Sequence, residues 1–271
     1  MNTELTQFST RRVFVLSYPR SGADLLLDAL RRIDGIGCVA QSNVALGMAS
    51  LMRTSSRAEL PGLHWLADVH QRRQITRQLA NGILSLLSRG HDVVFEYSYG
   101  NITYLPLLQT LYPDASYIHV TSRPVTALTG REAWRRKRTH SVLRLCSDWA
   151  GIQRAVLASV VAAKHLTVHY EDLVAEPAEA LRSIAALVGI QLRVTDIAAF
   201  AEAVGAAPKP LDRAVARRLL RWAIDTYTRE ECSLLGYEVA AARGRLQYLT
   251  ASFILGCVWV SGSKGRAAWR N

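Results

Sequence analysis

The run Val13–Ser17 (VFVLS) is short and apolar, the pattern of a strand buried on both faces. A turn follows at Tyr18–Gly22. Leu26, Leu30 and Ile33 then recur at helical spacing up to Gly35, a residue suited to end a helix. Residues 41–70 keep no clear period and contain Pro61 and Gly62, so they read as irregular. From Gln71 to Arg89 the helical period returns, with Ile75, Leu79, Ile83 and Leu86 on one face and Gly90 at the end. Asp92–Glu96 (DVVFE) reads as a second strand, Thr103–Tyr112 as a short helix and Ala115–Thr121 (ASYIHVT) as a third strand. Val142–Lys164 reads as a long helix and Leu166–Tyr170 (LTVHY) as a fourth strand. Pro177–Val188 is expected to be a helix, with proline at its start and Gly189 at its end. The remainder is mostly helical in pattern. Thr228-x-x-Glu231 has the form of a capping box, and Gly236 that of a C-terminal cap.

Strands alternating with helices predict an α/β fold: three layers, with a mainly parallel sheet between helices. No linker-like stretch divides residues 1–243, which read as a single domain; residues 244–271 read as an apolar and basic tail. Ligands of such folds bind at the C-terminal ends of the strands. The residues just after VFVLS, DVVFE and YIHVT are therefore the first places to look for chemistry.

Composition narrows the class of partner. The chain has 271 residues, 49% of them hydrophobic and 20% charged, enough to bury a core without help from metals or disulfides. It carries 33 Lys+Arg against 22 Asp+Glu, a net +11, so an anionic partner is expected. Nucleic acid, a membrane surface and a phosphorylated or sulfated small molecule all meet that description. Cys38, Cys146, Cys232 and Cys257 form no CxxC pair and no Cys/His cluster of zinc spacing; they read as inert thiols in a reducing compartment, with no metal site. The polar N-terminus has no apolar signal core, which points to a cytoplasmic location. Residues 246–263 hold no charge and lie between Arg245 and Lys264. They can be read as a buried element, as a membrane-surface contact, or as a short span.

The first strand is followed by Tyr18-Pro19-Arg20-Ser21-Gly22-Ala23-Asp24-Leu25. A glycine-containing turn into a helix presents backbone N–H groups to an anion, and Arg20 adds a fixed, bidentate positive charge. The GxxxxGK[ST] loop of common nucleotide triphosphatases is absent, as is the GxGxxG dinucleotide fingerprint.

YPRSGADLL resembles the 5′-phosphosulfate loop of the sulfotransferases that use 3′-phosphoadenosine 5′-phosphosulfate (PAPS). Further segments resemble that family in the family's own order. FEYSYGN (95–101) is similar to the FEKSANY segment of the heparan-sulfate N-sulfotransferases. YPDASYIHVTSR (112–123) is similar to the strand that delivers the 3′-phosphate arginine. HYEDLVAEP (169–177) and LGY (235–237) resemble two later family segments. The resemblance covers about residues 13–237. It implies a P-loop NTPase-like fold of the sulfotransferase type, with PAPS as cosubstrate and no metal. It places the donor on Arg20, Ser21, Gly22, Ala23, Asp24, Leu25 and Arg123, with Thr129 and Arg131 in the second anion site. The acceptor would be a hydroxyl or amine on a carbohydrate, lipid, small metabolite or peptide. Arg20 would stabilise the leaving phosphate, and Glu96 would be the general base.

Departures from the pattern bear on the chemistry. Ala23 replaces a hydroxyl residue of the family loop, and Asp24 sets a carboxylate at a helix N-terminus, good for the helix dipole and poor for a neighbouring anion. Asp24 either turns away as a cap or weakens the donor. After Arg123 no serine falls at the family spacing, which leaves Thr129 as a substitute. Tyr97 stands where the family has lysine. The basic run Arg131, Arg135, Arg136, Lys137, Arg138 reads as a solvated face or as phosphate support. His119, in mid-strand, reads as a core histidine; His64 and His70 are alternative bases. Trp65, Trp134 and Trp149 pack either the adenine or the core. A degenerate, non-catalytic binder of nucleotides or anions and a basic nucleic-acid-binding protein are the competing classes. The second has no recognition motif in this sequence, so no nucleic-acid partner is expected.

Overall fold

A computed structural model describes residues 11–54, 68–129, 142–159, 164–206 and 218–237. The elements in chain order are β1 (Arg11–Ser17), α1 (Ala23–Leu30), β2 (Ile36–Ala40), α2 (Val44–Thr54), α3 (Val69–Leu87), β3 (Val93–Tyr97), α4 (Gly100–Thr103), α5 (Leu105–Leu111), β4 (Ser116–Thr121), α6 (Pro124–Thr129), α7 (Val142–Ser159), β5 (Lys164–His169), α8 (Tyr170–Ala175), α9 (Pro177–Val188), α10 (Val194–Ala206), α11 (Arg218–Tyr227) and α12 (Arg229–Leu234). They fall into two compact units that interleave along the chain.

The first unit comprises Met1–Ser17, Ala23–Val120 and Ser159–Ala207 and holds the sheet. Its strand order is β2-β3-β1-β4-β5, with β1–β3, β1–β4 and β2–β3 paired in parallel. Strand alternation sends Val13 and Val15 to one face. There they pack with Leu26, Leu27 and Leu30 of α1, Leu181, Ile184 and Val188 of α9, and Phe200 and Val204 of α10. Phe14 points the other way, stacked on Tyr117 at 5.9 Å and tilted against Tyr112 at 5.2 Å. Burial on both faces explains why β1, β3 and β4 lack a polar face in the sequence.

Two elements depart from the expected pattern. Residues 36–40 (IGCVA) form β2, an edge strand that the sequence did not announce. Gly37 admits the chain there: a Cβ at this position would lie 2.8 Å from Ser88 Cβ. Part of the segment expected to be irregular is α2, where Val44, Ala45, Met48 and Ala49 are buried; residues 55–67 lie outside the described residues.

The long helix α3 is where the period placed it, capped by Asp68, whose carboxylate accepts from the His70 and Gln71 amides. Its buried face is a different one. Thr76, Ala80 and Leu84 are buried, whereas Leu79, Ile83 and Leu86 are exposed, Leu86 by 82%. Helix α3 contacts α2 and α5, and Thr76 Oγ1 reaches Met52 Sδ at 3.5 Å.

The second unit comprises Tyr18–Gly22, Thr121–Ala158 and Pro208–Asn271. Its core gathers Tyr18, Val125, Leu128, Leu145, Cys146, Trp149, Ile224 and Cys232. Trp149 is thereby a core residue. The expected capping box at α12 does not form: Thr228 Oγ1 donates to the Ile224 carbonyl at 2.8 Å, and Glu231 pairs with Arg154. Gly236 does take the left-handed conformation of a C-terminal cap, at φ 79°. Among the described residues no helix is long and apolar enough to cross a membrane. Residues 246–263 lie outside them.

Candidate active site

Glu96 sits next to the last residue of β3, where alternation turns it away from the face taken by Val93, Phe95 and Tyr97. Its side chain is 1% exposed, and a carboxyl group in such a place needs donors. Three side chains supply them. Ser42 Oγ donates to Oε1 at 2.5 Å, Ser98 Oγ donates to Oε1 at 2.6 Å, and Asn101 Nδ2 donates to Oε2 at 2.6 Å. Burial pushes the Glu96 carboxyl up from the ordinary range, and these three hydrogen bonds pull it back in part.

Local backbone geometry builds this cage. In the parallel pair β2–β3, Ala40 lies opposite Tyr97, so residues 41–43 and 98–101 leave neighbouring strand ends. The Gln41 amide donates to the Tyr97 carbonyl at 2.6 Å, extending the ladder by one bond. Gln41 and Asn43 then both take left-handed φ, 55° and 54°, which is strained for residues with a Cβ. That double turn sets Ser42 against the carboxylate. The Ser42 oxygen also accepts the Val44 amide at 3.1 Å, at the start of α2. The Asn43 amide donates to Ser98 Oγ at 3.0 Å. Asn101, fully buried, also donates to the Val15 carbonyl at 3.2 Å and so ties the cage to β1.

Other residues named from the sequence lie nearby or are accounted for otherwise. Ala23 is buried in the first turn of α1, Asp24 is exposed there, and Leu25 is half-buried against the core. Burial, then the charges of Tyr99 and Asp24, push the Tyr97 phenol up. His119 is fully buried in β4, as expected of a core histidine. His70 is exposed in the first turn of α3.

In the second unit, the loop Tyr18–Gly22 turns tightly: the Ser21 amide donates to the Tyr18 carbonyl at 3.1 Å, and Arg20 and Gly22 take φ of 72° and 98°. Arg20 is exposed, whereas Ser21 is fully buried and its hydroxyl has no hydrogen-bond partner among the described residues. The same holds for the hydroxyls of Thr121 and Ser122, which lead to Arg123. Ser17 and Val120 are opposed in the β1–β4 pair, so the loop after β1 and the segment after β4 leave adjacent strand ends. Arg123 is exposed, its carbonyl accepts the Ala127 amide at 3.0 Å, and its guanidinium lies over the Tyr237 ring. Unpaired buried hydroxyls are costly unless something accepts from them, so this donor set fits an oxyanion ligand. Thr129 ends α6, and its side chain is outside the described residues. Arg131, the basic run 131–138, His64, Trp65 and Trp134 also lie outside them.

Among the described residues no group of three or more His, Cys, Asp or Glu is arranged to hold a metal. Cys38, Cys146 and Cys232 are free thiols. Burial pushes Cys38 and Cys232 up to about 12, which keeps them protonated and unreactive.

The sequence reading missed Ser42 altogether, because it stands at the head of a segment without a period. The available signal was a serine two residues before Val44, the first of the apolar positions Val44, Ala45 and Met48, a pattern typical of a helix start.

Comparison with known proteins places these observations. Residues 12–194 match the model of the sulfotransferase family. Among solved structures, the sulfotransferase domain from the curacin biosynthetic pathway is 14% identical with a TM-score of 0.54, covering 85% of this chain and 99% of that one. Sulfotransferase STF9 from Mycobacterium avium is 12% identical with a TM-score of 0.56, covering 86% of this chain and 79% of that one. Both likenesses are of fold, the P-loop NTPase-like sheet expected above. No curated protein sequence matches the chain.

Proposed function

Since the chain belongs to the sulfotransferase family, an enzyme family of sulfuryl transfer, we propose that it moves a sulfuryl group from PAPS to a hydroxyl or amine acceptor. The acceptor would be a carbohydrate, a lipid, a small metabolite or a peptide. Such a transfer is mainly positioning and charge neutralisation: attacking and leaving oxygens lie in line with the sulfur, and negative charge grows on the leaving phosphate. In this reading Arg20 neutralises that charge, with Ser21, Gly22, Ala23 and Leu25 cradling the phosphosulfate. Arg123 takes the 3′-phosphate, with Thr129 and Arg131 beside it. Glu96 removes the acceptor's proton.

The observation that supports the donor most directly is the set of buried, unpartnered hydroxyls on Ser21, Thr121 and Ser122, within two positions of the two arginines. Glu96, buried yet held by three donors, supports the base: a carboxyl with raised proton affinity takes up a proton more readily. We place the protein in the cytoplasm, with residues 246–263 as a surface contact to anionic membranes.

Asp24 and the missing serine after Arg123 favour the second reading, a non-catalytic binder of the same nucleotide. Calorimetric titration with 3′-phosphoadenosine 5′-phosphate, followed by transfer of radiolabelled sulfate from PAPS, separates the two. Micromolar binding with transfer supports the enzyme, and binding without transfer supports the second reading. Absence of binding, together with salt-dependent DNA affinity, would overturn both.

A further inference from the structure

We propose that Ser42 relays the acceptor's proton to Glu96. The assignment rests on the sulfuryl-transfer reading and adds a catalytic residue to it.

Glu96 is 1% exposed, and both carboxylate oxygens are engaged by side chains, Oε1 twice and Oε2 once. Oε2 keeps one lone pair, but the carboxylate is buried, so an acceptor has no open path to it. Ser98 and Asn101 are as buried as Glu96 itself, while Ser42 is half-buried and therefore the donor with a way out. An amide N–H is also a poor carrier of protons, whereas a hydroxyl can release one proton as it takes up another.

A serine hydroxyl has one proton and two lone pairs. The proton of Ser42 goes to Glu96 at 2.5 Å, and one lone pair takes the Val44 amide at 3.1 Å. Ser98 Oγ lies 3.4 Å away, but its own proton is given to Glu96 at 2.6 Å. One lone pair of Ser42 is left for an incoming hydroxyl or amine. The left-handed residues on both sides, Gln41 and Asn43, hold this serine in place, and the strain is carried by non-glycine residues.

The step balances as follows. The acceptor oxygen or nitrogen forms a bond to sulfur as the sulfur–oxygen bond to the 5′-phosphate breaks, and that electron pair leaves with 3′-phosphoadenosine 5′-phosphate. The acceptor's proton passes to Ser42 Oγ while the Ser42 proton passes to Glu96 Oε1. Glu96 returns the proton through Ser42 to water after product release.

The test follows loss of label from [35S]PAPS, with water and 2-naphthol as probe acceptors, in the wild type, Ser42→Ala, Ser42→Thr and Glu96→Gln. Calorimetry with 3′-phosphoadenosine 5′-phosphate accompanies each. The relay predicts that Ser42→Ala loses turnover about as far as Glu96→Gln, on the order of 10²–10⁴-fold, with unchanged nucleotide affinity. Ser42→Thr should recover to within about tenfold of the wild type. If Ser42→Ala stays near wild-type turnover while Glu96→Gln collapses, the relay fails and the base assignment stands. If both variants stay near wild type, the base assignment fails and takes the relay with it. A wild type that binds nucleotide but releases no label overturns the transfer reading itself. Because Ser42 also supports α2, a proton inventory on the unmodified enzyme gives a second readout in mixed light and heavy water. Two protons in flight bow the plot, and a straight line would overturn the relay.

Discussion

Arg123 lays its guanidinium over the Tyr237 ring, 5.9 Å from the centroid. The contact joins the residue proposed for the 3′-phosphate to the last residue of the LGY segment. A cation–π contact at an exposed site is worth about 0.5–1 kcal/mol, or about two- to fivefold in affinity. Tyr237→Leu is expected to weaken binding of 3′-phosphoadenosine 5′-phosphate by that factor, and Tyr237→Phe to leave it unchanged. Calorimetry on the three proteins checks this; identical affinities would separate the ring from nucleotide binding.

Glu96 carries two pH signatures. As a base it acts only when ionised, and burial raises its pKa above the 4.5 of an unperturbed glutamate. The acid limb of kcat/KM should therefore have its midpoint above 4.5, and it should vanish in Glu96→Gln along with most of the turnover. Stability runs the opposite way. The folded state binds this proton more tightly than the unfolded chain does. The corresponding stability is full below the unfolded pKa and is lost as pH rises through the folded one. Urea titrations from pH 4 to pH 8 should show the wild type losing stability relative to Glu96→Gln as pH increases; a constant difference would count against the raised pKa.

Asp24 is exposed in the first turn of α1. Its carboxylate favours the helix dipole and opposes an anion bound at the same end. An exposed charge is screened at physiological ionic strength. Asp24→Asn should therefore tighten nucleotide binding by less than about tenfold and lower stability by about 0.3–1 kcal/mol. Unchanged affinity at low salt would show that Asp24 acts on the helix dipole alone.

The buried face of α3 can be read directly from two leucines. Leu84 is fully buried, and Leu86 is 82% exposed. Leu84→Ala should cost about 2–5 kcal/mol, and Leu86→Ala no more than about 0.5 kcal/mol. Chemical denaturation of the two variants gives the comparison. Equal losses would mean that the outward row of Leu79, Ile83 and Leu86 is packed.

The α/β class was legible in the sequence because β1, β3 and β4 are buried on both faces and so read as short, mainly apolar runs between helical periods. Arg20, Arg123 and Glu96 stood out as candidates because each stands at or just past the end of a strand, where a parallel sheet presents its ligands, and because the family resemblance falls on them. Helix α9 was readable to the residue, from Pro177 to Gly189, because proline and glycine act through their own backbone geometry. The tertiary structure decided what depended on neighbours. Strand β2 exists because β3 offers it an edge and Gly37 fits against Ser88. Helix α3 buries Thr76, Ala80 and Leu84, the face that meets its neighbours, and leaves Leu79, Ile83 and Leu86 outside, a choice its own period does not make. Ser42 became part of the site through the parallel pairing of β2 with β3, which brings residues 54 positions apart within one hydrogen bond. Local pattern determines which residues can form a strand or helix; which side chains then share a proton is determined only when those elements pack.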